Sequence, residues 1–249
     1  MAAPRPMPRD STQPITAAGL RKRLRANASA EDARILQRFF KTAPGEYGEG
    51  DVFLGVRVPA MRRICRECGD GVTLATIARL LRSRVHEDRS LALMLLVQAF
   101  ERADDRGRRK IYDLYLASTA SINNWDLVDQ SAGPIVGGWL LERSRAPLSR
   151  LARSSTVWER RIAIVATHHF IRRGDLAETF RIADLLMPDR HDLIHKAVGW
   201  MLREAGKRDA AALRAYLRER HRTMPRTMLR YAIERFPEAE RIRYLKGGI

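Results

Sequence analysis

From about residue 15 onward, apolar positions recur at three- and four-residue spacing, which predicts helices rather than strands. "TAAGLRKRLRANA" opens on a Thr cap, and "SAEDARILQRFF" places Ser29 three residues before Asp32, a variant of the capping box. "VPAMRRICREC" carries Pro59 in its first turn, where a missing N–H costs nothing. "EDRSLALMLLVQAFERA" is apolar almost all round and is predicted to be buried. Further helices are predicted through "TVWERRIAIVATHHFIRR", "LIHKAVGWMLREAGK" and "TMPRTMLRYAIERF". Only "DVFLGVRV", residues 51–58, alternates, and it follows the turn-rich "APGEYGEG". That loop lacks the G-K-[S/T] ending of a phosphate-binding loop.

Helices of this length joined by short loops predict stacked antiparallel pairs. The pairs recur loosely, and a repeat of about 40–47 residues of the HEAT type would fit about five or six times. The expected fold is therefore all-α, an α-solenoid of HEAT-like repeats with one concave face. A compact non-repeating bundle is the alternative for the same helices. No linker divides the chain, so one domain is expected over 16–249, preceded by a flexible basic arm over 1–15.

Composition narrows the partners. The chain has 249 residues, 46 Lys+Arg against 29 Asp+Glu and a formal net charge of +17. Such a surface attracts polyanions, nucleic acid first among them. The two cysteines, Cys65 and Cys68, are too few for a disulfide scaffold or a four-ligand zinc site, and "CREC" reads as one helical turn. Apolar runs fall short of the ~20 residues of a membrane span, and "MAAPRPMPRD" is too polar for a signal peptide. A soluble, cytoplasmic protein follows as the expectation.

Three of the four tryptophans fall at similar places in successive helix pairs, each beside a charge on the same helix face. Trp125 has Asp129 at i+4, Trp158 has Arg161 at i+3, and Trp200 lies between Lys196 and Arg203. Trp139, within "GGWLL", reads as core. Each pair has an ordinary alternative, a core indole beside a solvated flank. Together they suggest a concave groove with indoles, cations and one carboxylate.

Cations hold phosphates and indole faces stack on bases or sugars. A carboxylate beside a phosphate backbone is electrostatically wrong for binding alone. It makes sense where the substrate or its transition state carries positive charge. Departure of a base from deoxyribose has such an oxocarbenium-like transition state. A base alkylated at N3 or N7 is already a cation and needs little help to leave.

The blocks "FFKTAPGEYGEGDVFLGVRVPAMR", "INNWDLVD", "LARSSTVWERRIAIVATHHFIRRGD" and "HDLIHKAVGWMLREAGKRD" resemble the AlkD-like DNA alkylation repair family, from about residue 30 to the end. The resemblance implies a HEAT-like solenoid and a glycosylase that excises cationic N3- and N7-alkylpurines from duplex DNA without drawing the base into a pocket. It places the catalytic aspartate at Asp129, with Trp125 and Trp200 lining the lesion. The family's arginine motif falls on Arg161, expected on a backbone phosphate; Lys196 and Arg203, beside Trp200, are read from the sequence as further DNA contacts. An aromatic at the N-terminal end of the groove corresponds to Phe40, with Phe39 the alternative. A tyrosine is usual there in the characterised branch, and a second tryptophan usually stands where this chain has Asn124. Some relatives on this fold bind unusual DNA structures with little excision, so a structure-selective binder of branched or bent DNA is the competing expectation.

No metal and no cofactor are expected. "HDLIH", His191 to His195, resembles H-E-x-x-H with Asp for Glu, but the shorter acid and the absence of a third ligand argue against zinc. His191 is expected to cap or flank its helix, and His168 and His169 to pack or face solvent. The expected partner is duplex DNA with alkylated bases, bound by a monomer in the bacterial cytoplasm, at the nucleoid during repair.

Overall fold

Local chemistry starts most of the helices. Thr16 Oγ1 accepts from Gly19 N at 3.1 Å, and Ser29 Oγ accepts from Asp32 N at 3.2 Å. Thr73, Asp104 and Asp209 cap in the same way, each satisfying one of the orphan N–H groups of a first turn. The Ser29–Asp32 box is only half closed. The Asp32 carboxylate turns away to Arg57, with Nε–Oδ2 at 2.9 Å, because Asp is one methylene shorter than the Glu that reaches back in the usual box. The Ser29 N–H donates instead to Leu54 O at 3.0 Å.

The computed structural model describes residues 15–248. The arm expected over 1–15 lies outside them apart from Ile15, whose N–H donates to Gly71 O at 3.0 Å. The helices are α1 (Ala17–Arg25), α2 (Ala30–Phe39), α3 (Val58–Cys68), α4 (Leu74–Leu81), α5 (His86–Arg102), α6 (Asp105–Ala117), α7 (Trp125–Ala132), α8 (Gly138–Leu140), α9 (Ala146–Ala152), α10 (Val157–Ala166), α11 (His168–Ile171), α12 (Ala177–Leu186), α13 (Asp192–Arg208), α14 (Ala210–Arg220), α15 (Arg226–Ala232) and α16 (Glu238–Lys246). Along one layer α5 packs on α7, α7 on α10, α10 on α13 and α13 on α15. Behind them α4 backs α5, α9 backs α10, and α12 and α14 back α13. The fold is all-α, a solenoid of HEAT-like helix pairs. No helix among the described residues is long and apolar enough to cross a membrane.

Burial of α5 is as expected, but its first turn is not apolar. His86, Glu87, Asp88 and Arg89 are consecutive and all buried. Buried charge is costly unless paired, and here each of the four residues has partners, although Arg89 Nε has none. Glu87 accepts from the N–H groups of Leu54 (3.0 Å), Gly55 (2.8 Å) and Val56 (3.2 Å). Asp88 accepts from Ser83 Oγ at 2.6 Å and Arg21 Nε at 2.9 Å, and Arg89 Nη2 donates to Asp51 Oδ1 at 2.7 Å. This explains why the alternating stretch 51–58 is extended without becoming a strand. Its N–H groups end on a carboxylate rather than on a neighbouring strand, apart from one parallel bridge between Val52 and Val85.

Helix α7 runs into a single π-helical turn, Gly133–Gly137, and on into α8. Gly137 lets this rod lie directly on α10 and α11. A Cβ there would stand 2.2 Å from Ala166 O and 2.7 Å from His169 Cβ. Beyond the turn Trp139 is core, as expected, stacked on Tyr112 with ring centroids 5.7 Å apart. Cys65 and Cys68 are free and buried, and burial raises both thiols above the usual cysteine range, which leaves them inert.

Candidate functional site

Asp129 lies one turn into α7, facing α10. Arg161 of α10 meets it with two parallel bonds, Nε to Oδ1 and Nη2 to Oδ2, both 2.8 Å. The remaining Nη1 donates to Leu193 O in the first turn of α13 at 2.6 Å. Arg161 is buried, while the Asp129 side chain keeps 20% of its surface exposed. Burial raises the Asp129 carboxyl above the ordinary carboxylate range, and the hydrogen bonds and charge of Arg161 oppose that rise.

Around this pair lies a hollow of about 760 Å³ lined by Phe39, Tyr47, Trp125, Trp200 and Tyr231, with Lys41, Lys196 and Arg203 supplying cations. A second hollow of about 670 Å³ is also lined by Asp129 and by Gln130, His168, His169, Arg172 and Arg173. Asp129 therefore lines both. His169 is pushed down to about 4 by burial first and then by Arg173 and Arg172, which marks a positive local field.

The structure thus brings Asp129, Trp125, Trp200, Arg161, Lys196 and Arg203 to one hollow. It changes the part that several of them can play. Arg161 is committed to Asp129 and buried, so its first task is to orient the carboxylate rather than to hold a phosphate. Lys196 Nζ bonds Asp192 at 2.7 Å, which raises the ammonium above the usual lysine value. Arg203 pairs with Glu234 and Glu204. Trp158, expected to share the Arg161 face, packs against the core and edge-on to Tyr47, 6.0 Å between centroids.

Phe40 requires a correction. It is buried, stacked on Phe53 at 5.2 Å and on Trp125 at 5.2 Å, and cannot touch DNA. Phe39 is 60% exposed and stands edge-on to Trp125. Successive helical residues point about 100° apart, so only one of an adjacent pair can face the hollow. Asn124, where relatives usually carry a tryptophan, is a fully buried N-cap whose Oδ1 accepts from Trp125 N at 2.8 Å.

Sequence reasoning missed the 41–50 loop as a wall of the site. It supplies Tyr47, so the hydroxyl that neither phenylalanine could provide reaches the hollow from elsewhere in the chain. It also supplies Lys41, which has no acidic partner among the described residues and whose Nζ lies 6.0 Å from the Tyr47 ring centroid. Lys41 adopts φ 52°, the one positive φ among the described non-glycine residues. That left-handed position after a helix end is normally glycine. Gly48 N donates back to Lys41 O at 3.0 Å, closing the loop.

His191 caps α13, its Nδ1 accepting from Leu193 N at 3.2 Å, and His195 Nε2 lies 2.6 Å from Asp189 O. Both rings are thereby used within the protein. Among the described residues no group of three or more His, Cys, Asp or Glu is placed to hold a metal ion.

A family described as DNA alkylation repair enzyme matches residues 20–236. Among solved structures, a predicted DNA alkylation repair enzyme from Enterococcus faecalis superimposes with a TM-score of 0.66 at 15% identity, covering 85% of this chain and 98% of the other. No curated protein matches the chain. The family match spans most of the chain and includes each residue gathered around Asp129, and the chain belongs to the DNA alkylation repair enzyme family.

Proposed function

We propose that the protein is a DNA glycosylase that hydrolyses the N-glycosidic bond of cationic N3- and N7-alkylpurines in duplex DNA. The observation that carries this reading is the Asp129 carboxylate, held in place by Arg161 inside an aromatic, cation-rimmed hollow. As the base departs, positive charge grows on the sugar, and a carboxylate fixed in advance stabilises it without reorganisation. The same carboxylate orients the attacking water. Trp125 and Trp200 line the lesion nucleotide, while Lys41, Lys196 and Arg203 sit where phosphates would run. In this reading the duplex stays stacked while the bond breaks. Reaction stops at base release. Lys196 is held as an ammonium by Asp192 and is therefore a poor nucleophile for a lyase step. The site of action would be the bacterial cytoplasm, on a monomer bound to the nucleoid.

A second reading is favoured by one observation. Arg161 neutralises Asp129, which removes the repulsion a bare carboxylate would exert on a phosphate, so a non-catalytic binder of branched or bent DNA could also carry this pair. Incubation with methylated duplex DNA separates the two. Release of 7-methylguanine that Asp129→Asn abolishes supports the glycosylase. Tighter binding to a junction than to linear duplex, with no base released, supports the binder.

A further inference from the structure

His86 is the member of the buried α5 turn that bonds α7, the helix carrying Asp129. It is 2% exposed. Its Nδ1 lies 3.1 Å from Asp51 Oδ2 and its Nε2 lies 2.8 Å from Asp126 Oδ2. A neutral imidazole has one N–H and one lone pair. It could donate to only one of these carboxylates and would set its lone pair against the other. Bonds to both require the imidazolium. The ring packs on Phe53 at 4.5 Å and Phe40 at 5.0 Å, aromatic neighbours that favour a cation.

Every charged or polar group facing the ring can be placed. From the 51–56 stretch comes Asp51, whose other oxygen takes Arg89 Nη2 at 2.7 Å and lies 3.5 Å from Asn123 Nδ2. From α7 comes Asp126. From α5 itself comes Arg89, which opposes protonation. Burial also works to lower the proton affinity of His86, and the hydrogen bonds to Asp126 and Asp51 overcome it, raising the group to about 9.

Asp126 is in the first turn of α7, between Trp125 and Asp129. Its charge acts on Asp129, raising that carboxyl. Asp51 ends the loop that carries Lys41 and Tyr47. We propose that His86, as an imidazolium, is a positioning residue for Asp129. Through Asp126 it fixes the first turn of α7 and screens the neighbouring negative charge, and through Asp51 it ties down the loop wall of the hollow. The proposal rests on the glycosylase reading for its catalytic consequence, but the charge state and the positioning can be read without it.

The sign follows from the raised group. Its stabilising contribution is complete below about 6.5, the ordinary histidine value, and is lost as pH rises through about 9. Three measurements test the idea. Nitrogen-detected NMR of the imidazole should show His86 protonated at pH 7.5 and titrating near 9, and Asp126→Asn should lower that midpoint. Protection of the 125–129 amides, measured against their intrinsic exchange rate at each pH, should fall as His86 deprotonates. Single-turnover release of 7-methylguanine, with enzyme-free DNA subtracted, should fall on the alkaline side in step with the NMR titration. His86→Gln, which is neutral and carries its N–H donors on a single nitrogen, should slow release at least tenfold at pH 7.5 with duplex affinity within twofold of wild type. Asp126→Asn should move the alkaline limb to lower pH, a shift that a purely structural role would not produce.

A His86 midpoint at or below 6.5 overturns the proposal. So does unchanged protection of the 125–129 amides across the titration, or wild-type release by His86→Gln. Were His86→Gln to misfold, Asp126→Asn and the wild-type titration would still decide. If the wild type releases no base at any pH, the glycosylase reading fails while the NMR and exchange results still stand for or against His86.

Discussion

Arg161 and Asp129 face each other edge to edge, with both N–H···O distances at 2.8 Å, and the same guanidinium reaches Leu193 O of α13. Three successive helices of one layer thus meet at one side chain. Removing it should misplace the carboxylate more than it weakens DNA binding. Arg161→Ala is expected to lower single-turnover excision roughly 100-fold, the scale of a 1 Å misplacement. The salt dependence of duplex binding should be nearly unaltered. Arg161 also opposes the burial that raises the Asp129 carboxyl, so its loss raises that carboxyl further. Because the ionised form is needed, the acid limb of excision should move to higher pH, as a pH–rate profile would show.

Asp129→Asn keeps shape and removes charge. Duplex affinity should hold within a few fold, while release of 7-methylguanine slows by on the order of 100-fold or more, comparable to losing one preorganised electrostatic partner of a transition state. Excision at the wild-type rate would remove Asp129 from the chemistry.

Lys41 keeps a left-handed backbone that glycine would adopt more easily, and it lines the hollow without an acidic partner among the described residues. Lys41→Gly should therefore leave stability within about 1 kcal/mol of wild type. It should reduce the slope of log affinity against log salt by about one phosphate unit. Denaturant melts and a salt titration of binding check both halves.

Phe39 and Phe40 are adjacent but should behave oppositely. Phe40→Ala empties a buried stack against Phe53 and Trp125 and should cost about 3–5 kcal/mol of stability. Phe39→Ala removes an exposed ring and should leave the melt nearly unmoved while weakening binding to lesion-bearing duplex.

Gly137→Ala places a methyl group 2.2 Å from Ala166 O. Backbone must shift, and overpacking of this kind costs about 1–3 kcal/mol. Calorimetry should show the loss. Excision should fall with it, because α7 and α10 carry the two halves of the Asp129–Arg161 pair.

Helical periodicity made the solenoid legible, and the charge–indole pairs pointed to Asp129, Trp125 and Trp200. What stayed hidden has a common cause. Whether Arg161 meets a phosphate or a carboxylate depends on the approach of α10 to α7, which no local pattern records. The choice between Phe39 and Phe40 turned on where α2 ends, one residue either way. What holds the buried run from His86 to Arg89 could not be read locally, because its partners Asp51, Asp126, Arg21 and the 54–56 backbone are dispersed along the chain. Tyr47 and Lys41 lie in a loop without periodicity. A lysine where a helix end usually puts glycine was the one local signal available.

The π turn at Gly133–Gly137 adds a residue to a rod that would otherwise wind uniformly. It sets the angular phase between the half carrying Asp129 and the half carrying Trp139. Deleting one residue there would rotate everything downstream by about 100°, carrying Trp139 and Leu140 out of the core or Asp129 away from Arg161. In aligning related chains, a one-residue gap at this point is a rotation of one half against the other, and a chain without the extra residue would need a different route to the same carboxylate.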